Sequence, residues 1–98
     1  MPLVTIVTRD VADRFRGFLA SLMLEVAPCT YVSPGMSKGV RERAWKVLQE
    51  WHATEPRGSI VMIWRDAEAT GGVGLAYLGT PSKAVVEMDG MWIARASG

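Results

Sequence analysis

The chain has 98 residues, 49% of them apolar, and its 11 basic and 10 acidic residues leave a formal net charge of +1. That length fits one domain around one core, and no apolar run approaches the about 18 residues that would mark a membrane span. Near-neutral charge excludes bulk attraction to nucleic acid, so any affinity for phosphate has to come from local clusters of basic side chains.

Four tryptophans and six methionines are a generous apolar supply for so small a body, which implies that a second subunit covers part of it. The lone Cys29 cannot form an internal disulfide, which suits a reducing compartment. Met1-Pro2-Leu3-Val4 lacks the basic n-region of a secretory signal. A cytoplasmic protein is expected.

Leu3 to Thr8 is β-branched and apolar, as a buried strand should be. From Val11 the period changes: Val11, Phe15, Leu19, Leu22 and Val26 share one helical face. Asp10 stands where an N-cap belongs, and Pro28 blocks continuation. The spacing therefore predicts a helix over Val11 to Val26, followed by a short strand over Cys29 to Ser33 that ends at Pro34-Gly35. Ser37 reads as the N-cap of a second helix with Val40, Ala44, Val47, Leu48 and Trp51 on its apolar face and an i, i+4 pair of Glu42 and Lys46 outside it. Pro56-Arg57-Gly58 ends it. Ile60 to Trp64 and Val73 to Leu78 read as strands around the turn Thr70-Gly71-Gly72, and Val85-Val86 and Met91-Trp92-Ile93 as extended pieces around Asp89-Gly90. This order predicts an α+β domain of the ferredoxin-like, split βαβ type: an antiparallel sheet, two helices on one face, and an extra C-terminal tail strand. The apolar strand Ile60 to Trp64 points to a homodimer that shields the other face.

Arg14 and Arg16 fall on opposite shoulders of the first helix's apolar stripe, and with Arg9 they bring positive charge to a helix start whose dipole is already positive. Such a cluster suits a phosphate, although Asp10 and Asp13 also make it readable as a solvated mixed-charge face. Gly17, inside the helix, costs about 1 kcal/mol relative to Ala and lets a backbone approach closely. Asp10, just beyond a buried strand, reads either as a helix cap or as a metal-binding carboxylate shared across a two-fold axis. His52 has no second histidine or cysteine cluster to make a zinc site. Cys29 has no local base, the Thr70 turn is too short for a phosphate loop, and Trp45, Trp51 and Trp64 sit on patterned elements as core or interface residues would.

Leu3-Val4-Thr5-Ile6-Val7-Thr8, Arg14-Phe15-Arg16-Gly17, Met23-Leu24-Glu25-Val26-Ala27, Tyr31-Val32, Val40-Arg41-Glu42, Trp45, Trp64 and Met88-Asp89-Gly90, in this order and spacing, resemble the CRISPR-associated protein 2 family of type I-E systems. The resemblance implies a ferredoxin-like homodimer that works in spacer acquisition, holds duplex DNA, and bridges dimers of the CRISPR integrase. It further implies that Arg14, Arg16 and Lys83 contact the DNA backbone, and that the tail around Met91, Trp92 and Ile93 engages the integrase. The family also implies a Mg²⁺-dependent endonuclease acting on RNA or DNA through an acid just after the first strand. Here that position is Arg9, with Asp10 one residue later as the only catalytic or metal-binding candidate.

Overall fold

The computed structural model describes residues 3–79 in full and, within the tail, the backbone of two strands over 83–88 and 91–96. The first strand, β1 (Val4–Arg9), is followed by helix α1 (Asp13–Leu22), a hairpin of β2 (Leu24–Ala27) and β3 (Thr30–Ser33), helix α2 (Lys38–Thr54), and a second hairpin of β4 (Ser59–Arg65) and β5 (Val73–Leu78). The strands make one antiparallel sheet in the order β2-β3-β1-β4-β5. β1 and β2 run the same way with β3 between them, the split βαβ arrangement, so the first four strands have the ferredoxin-like order and β5 extends the sheet.

Alternation along β1 decides where the core lies. Val4, Ile6 and Thr8 are buried while Thr5, Val7 and Arg9 are not. Ile6 is flanked across the sheet by Tyr31 and Met62, and with Phe15, Leu19 and Leu48 these side chains form one buried cluster. Both helices therefore cover the same face of the sheet. Phe15 and Phe18 close the helix-helix seam with edge-on contacts to Trp51, at centroid distances of 5.6 and 5.3 Å. On β4, the Trp64 indole lies so tightly against Gly74 that any Cβ at Gly74 would occupy the ring's place. The Arg41 guanidinium sits 4.4 Å from the centroid of the Trp64 ring.

The first helix is shorter than its periodicity predicts. It stops at Leu22, because Met23 is already extended (φ −137°, ψ 166°) and its side chain is buried. Leu24 to Ala27 pairs with β3 instead of continuing the helix. Leu22 and Val26, which complete the helical stripe on paper, are both exposed. The backbone bonds available along β3 outweigh a stripe that had no core left to face. The following strand begins at Thr30, since Cys29 (φ 62°) belongs to the turn, where its N–H donates to Glu25 Oε2 at 3.1 Å.

Helix α2 starts as expected: Ser37 Oγ accepts from the Val40 N–H at 3.2 Å. Glu42 pairs at 3.9 Å with Lys38, one turn before it, and not with Lys46 one turn after it, as the spacing suggests. Asp10 is not the cap of α1. That place is taken by Ala12, with no side-chain bond, and Asp10 adopts a left-handed conformation (φ 57°). In the tail, β6 (Lys83–Met88) and β7 (Met91–Ala96) pair antiparallel with each other as a separate two-stranded sheet. The two extended pieces thus find a partner in one another, where a single added tail strand was expected. The side chains of Lys83, Met91, Trp92 and Ile93 lie outside the described residues.

Candidate nucleic-acid interface

The carboxyl end of β1, the start of α1, the turn between β2 and β3, the end of α2, the start of β4 and the end of β5 all meet at one end of the sheet. The Thr8 N–H donates to Cys29 O at 2.9 Å, tying the β2-β3 turn to it. Arg9, Arg14, Arg16, His52 and Arg57 are all found here.

Arg14 and Arg16 leave the first turn of α1 on opposite flanks. Arg14 reaches the last turn of α2, where Nη2 lies 3.4 Å from Trp51 O, 3.3 Å from Thr54 Oγ1 and 3.4 Å from Glu55 Oε2. Its guanidinium also lies 4.9 Å from the Trp51 ring centroid. A cation at the negative end of α2 is electrostatically favoured. Trp51 O already accepts from the Glu55 N–H, so Arg14 completes a C-terminal cap that spans two helices.

Arg16 turns toward the β2-β3 hairpin. Its pKa is raised, first by hydrogen bonding with Tyr31 and then by the charges available to Cys29 and Tyr31. The Tyr31 phenol is also raised, chiefly because it is buried, with Arg16 pulling the other way. A phenol held neutral in the folded state contributes stability below its unfolded pKa and loses it as pH rises through the folded one. Arg16 makes a long ion pair with Asp13 at 3.8 Å and remains half-exposed. A Cβ placed at Gly17, one residue on, would meet nothing within 4 Å among the described residues, so their packing gives no reason for a glycine there.

His52 caps the same end from α2, with Nε2 3.2 Å from Gly58 O. Gly58 has φ 76°, and a Cβ on it would strike the backbone of Arg9 and Asp10. Only glycine lets the chain enter β4 so close to β1. Arg57, which the sequence shows only as part of a helix-ending Pro-Arg-Gly, donates from Nε to Asp10 O at 3.1 Å. The signal that could have found it is a basic residue held between proline and glycine, at a turn that must fold back onto β1.

The donors among the described residues do not make a site for Mg²⁺ within one chain. A divalent cation of this kind needs several oxygen ligands, carboxylates foremost. The cleft at the end of β1 offers the single carboxylate of Asp10, lined alongside it by Arg9 and bonded at its backbone by Arg57. Among the described residues no group of three His, Cys, Asp or Glu could hold a metal ion.

The helix-free face of the sheet is apolar in register. Val32, Thr5, Ile63 and Leu75 form one row across four strands, with Leu24 extending it on β2. Val7, Val61 and Tyr77 lie in the next row. Leu24 is 68% exposed, Tyr77 43% and Ile63 36%. No described helix is long and apolar enough to cross a membrane.

A ferredoxin-like α+β domain with arginines gathered at one end of the sheet is thus the class of protein defined by fold and site. The family model described as CRISPR-associated protein (Cas_Cas2CT1978) matches residues 3–93. The chain belongs to this CRISPR-associated, Cas2-type family.

Proposed function

We propose that the chain is the scaffold subunit of CRISPR spacer acquisition, in the manner of type I-E systems. It works as a two-fold homodimer that grips duplex DNA through its phosphates and bridges integrase dimers. The observation that carries this reading is the placement of Arg14 and Arg16 on two flanks of one helical turn, each half-exposed. Beside them Gly17 leaves room for a backbone to approach. Contacts of this kind position a duplex without reading its sequence, which suits a machine that accepts arbitrary spacers. Lys83 on the tail adds a third phosphate contact, and Met91, Trp92 and Ile93 at the start of β7 add the integrase contact. The apolar rows of the open sheet face supply the surface between the two protomers.

Duplex binding measured by fluorescence anisotropy tests this. The Arg14→Ala, Arg16→Ala double variant should bind several mixed sequences about equally poorly, with a log–log salt slope lower by about 0.9 per lost phosphate contact. Unchanged affinity and slope would overturn the reading. Mg²⁺-dependent cleavage by the parent, abolished in Asp10→Asn, would replace it with a nuclease.

A further inference from the structure

We infer that the cleft at the carboxyl end of β1 is a second phosphate site, in which Arg57 and Arg9 take a backbone phosphate of duplex DNA. This rests on the DNA-binding reading above and extends it to residues that reading does not use.

The cleft has a volume of about 540 Å³ and is lined by Arg9, Asp10, His52, Gly58, Ser59 and Gly79, with Pro56 at its edge. Its walls are built tightly. A Cβ at Gly58 would strike the backbone of Arg9 and Asp10, and one at Gly79 would strike Gly58 O. Both glycines, and Asp10 on the far side of Gly58 from Gly79, have positive φ. The ends of β1, β4 and β5 are therefore brought together backbone against backbone, where side chains would have held them apart.

Arg57, between the lining residues Pro56 and Gly58, is fixed beside this cleft at two points. Its N–H donates to Glu55 O at 2.8 Å, a three-residue turn about Pro56. Its Nε donates to Asp10 O at 3.1 Å. An exposed arginine rarely has its backbone and its guanidinium both committed, since holding so long a side chain in one geometry costs entropy. With Nε engaged, the two terminal nitrogens remain as a planar fork, the geometry that matches two phosphate oxygens.

The charge balance points the same way. Arg14 is paired with Glu55 and Arg16 with Asp13, whereas Arg9 and Arg57 have no carboxylate partner among the described residues. Among the described residues that line the cleft, Asp10 alone carries a carboxylate, so the cleft favours an anion over a cation. The site also continues the one already described, because Glu55, which holds Arg14, lies two residues from Arg57 on the same turn.

The test is duplex binding by the full chain across a range of salt, with thermal melts as a check on folding. Arg57→Ala and Arg9→Ala should each weaken binding by about threefold to tenfold and lower the salt slope by about 0.9. Arg9→Ala leaves the Arg57 turn intact and so serves if Arg57→Ala unfolds. Asp10→Asn should tighten binding about twofold to threefold whether or not Mg²⁺ is present, because it removes the carboxylate that lines the cleft while asparagine tolerates the left-handed conformation. Parent-like affinity and slope in Arg57→Ala and Arg9→Ala, with binding lost in the Arg14→Ala, Arg16→Ala variant, would overturn this inference alone. Parent-like binding in all of them would overturn the DNA reading with it. Weaker binding of Asp10→Asn confined to Mg²⁺ buffers would show a cation site in place of the phosphate site.

Discussion

The two faces of the central sheet have nearly the same chemistry and opposite fates. On one, Tyr31, Ile6 and Met62 lie in a row and are buried under α1 and α2. On the other, Val32, Thr5, Ile63 and Leu75 make a comparable row with no helix over it. A sheet with one wet face alternates apolar and polar residues, whereas β4 (Ser-Ile-Val-Met-Ile-Trp-Arg) is apolar on both sides. The near-continuous apolar character of β1 and β4 therefore describes a sheet meant to be covered twice. Among the described residues the two helices cover one face, and in the proposed homodimer the second protomer covers the other.

Substitutions on the two faces should separate these roles. The largest effect belongs to the covered face. Phe15 is fully buried, and Phe15→Ala should cost about 3–5 kcal/mol in urea unfolding, with loss of self-association only as a consequence. Gly74→Ala should come next. The added Cβ displaces the Trp64 ring from its place under Arg41, a small-to-large change worth about 1–3 kcal/mol. Ile63→Lys acts on the open face and should do the opposite of Phe15→Ala. The dimer should fall to a monomer in light scattering, while the unfolding of that monomer shows native-like cooperativity. A dimer that survives Ile63→Lys would place the second cover elsewhere.

This division also explains what could be read from the sequence. Strands β1, β4 and β5 and helix α2 were legible because their signals are local: β-branched runs, a serine cap, a turn with adjacent glycines. Strand β2 was not. Leu24-Glu25-Val26-Ala27 fits a period of 2 as readily as 3.6, and the choice is made by β3, with which it pairs. Asp10 likewise has the chemistry of a cap, but its left-handed backbone is imposed by the close approach of Gly58. At the candidate site, the charges on Arg14 and Arg16 were visible, as was Asp13 beside Arg16, but the partners of Arg14 were not. Trp51, Thr54 and Glu55 lie some forty residues further along the chain. Arg57 was missed for the same reason, since its anchor, Asp10 O, is 47 residues away.

The smallest expected effect concerns how Arg14 divides itself between fold and ligand. Its ion pair with Glu55 is 3.4 Å long, and both side chains are 45% exposed. Solvent screening keeps such a pair within about 0–1 kcal/mol. Glu55→Gln should therefore shift stability by less than about 0.5 kcal/mol, the more so because Arg14 keeps Trp51 O and Thr54 Oγ1 as acceptors. Duplex binding should respond in the opposite sense to an arginine deletion. With the carboxylate gone, Arg14 no longer exchanges an ion pair for a phosphate, and affinity should rise about twofold to threefold at low salt. Glu68→Gln, in the β4-β5 loop at the other end of the sheet, changes net charge by the same amount and serves as the control. An equal gain in Glu68→Gln would reduce the effect to bulk charge. A loss of affinity in Glu55→Gln would mean that Glu55 orients Arg14 toward the duplex, making the α1-α2 seam part of the binding surface and not only its support.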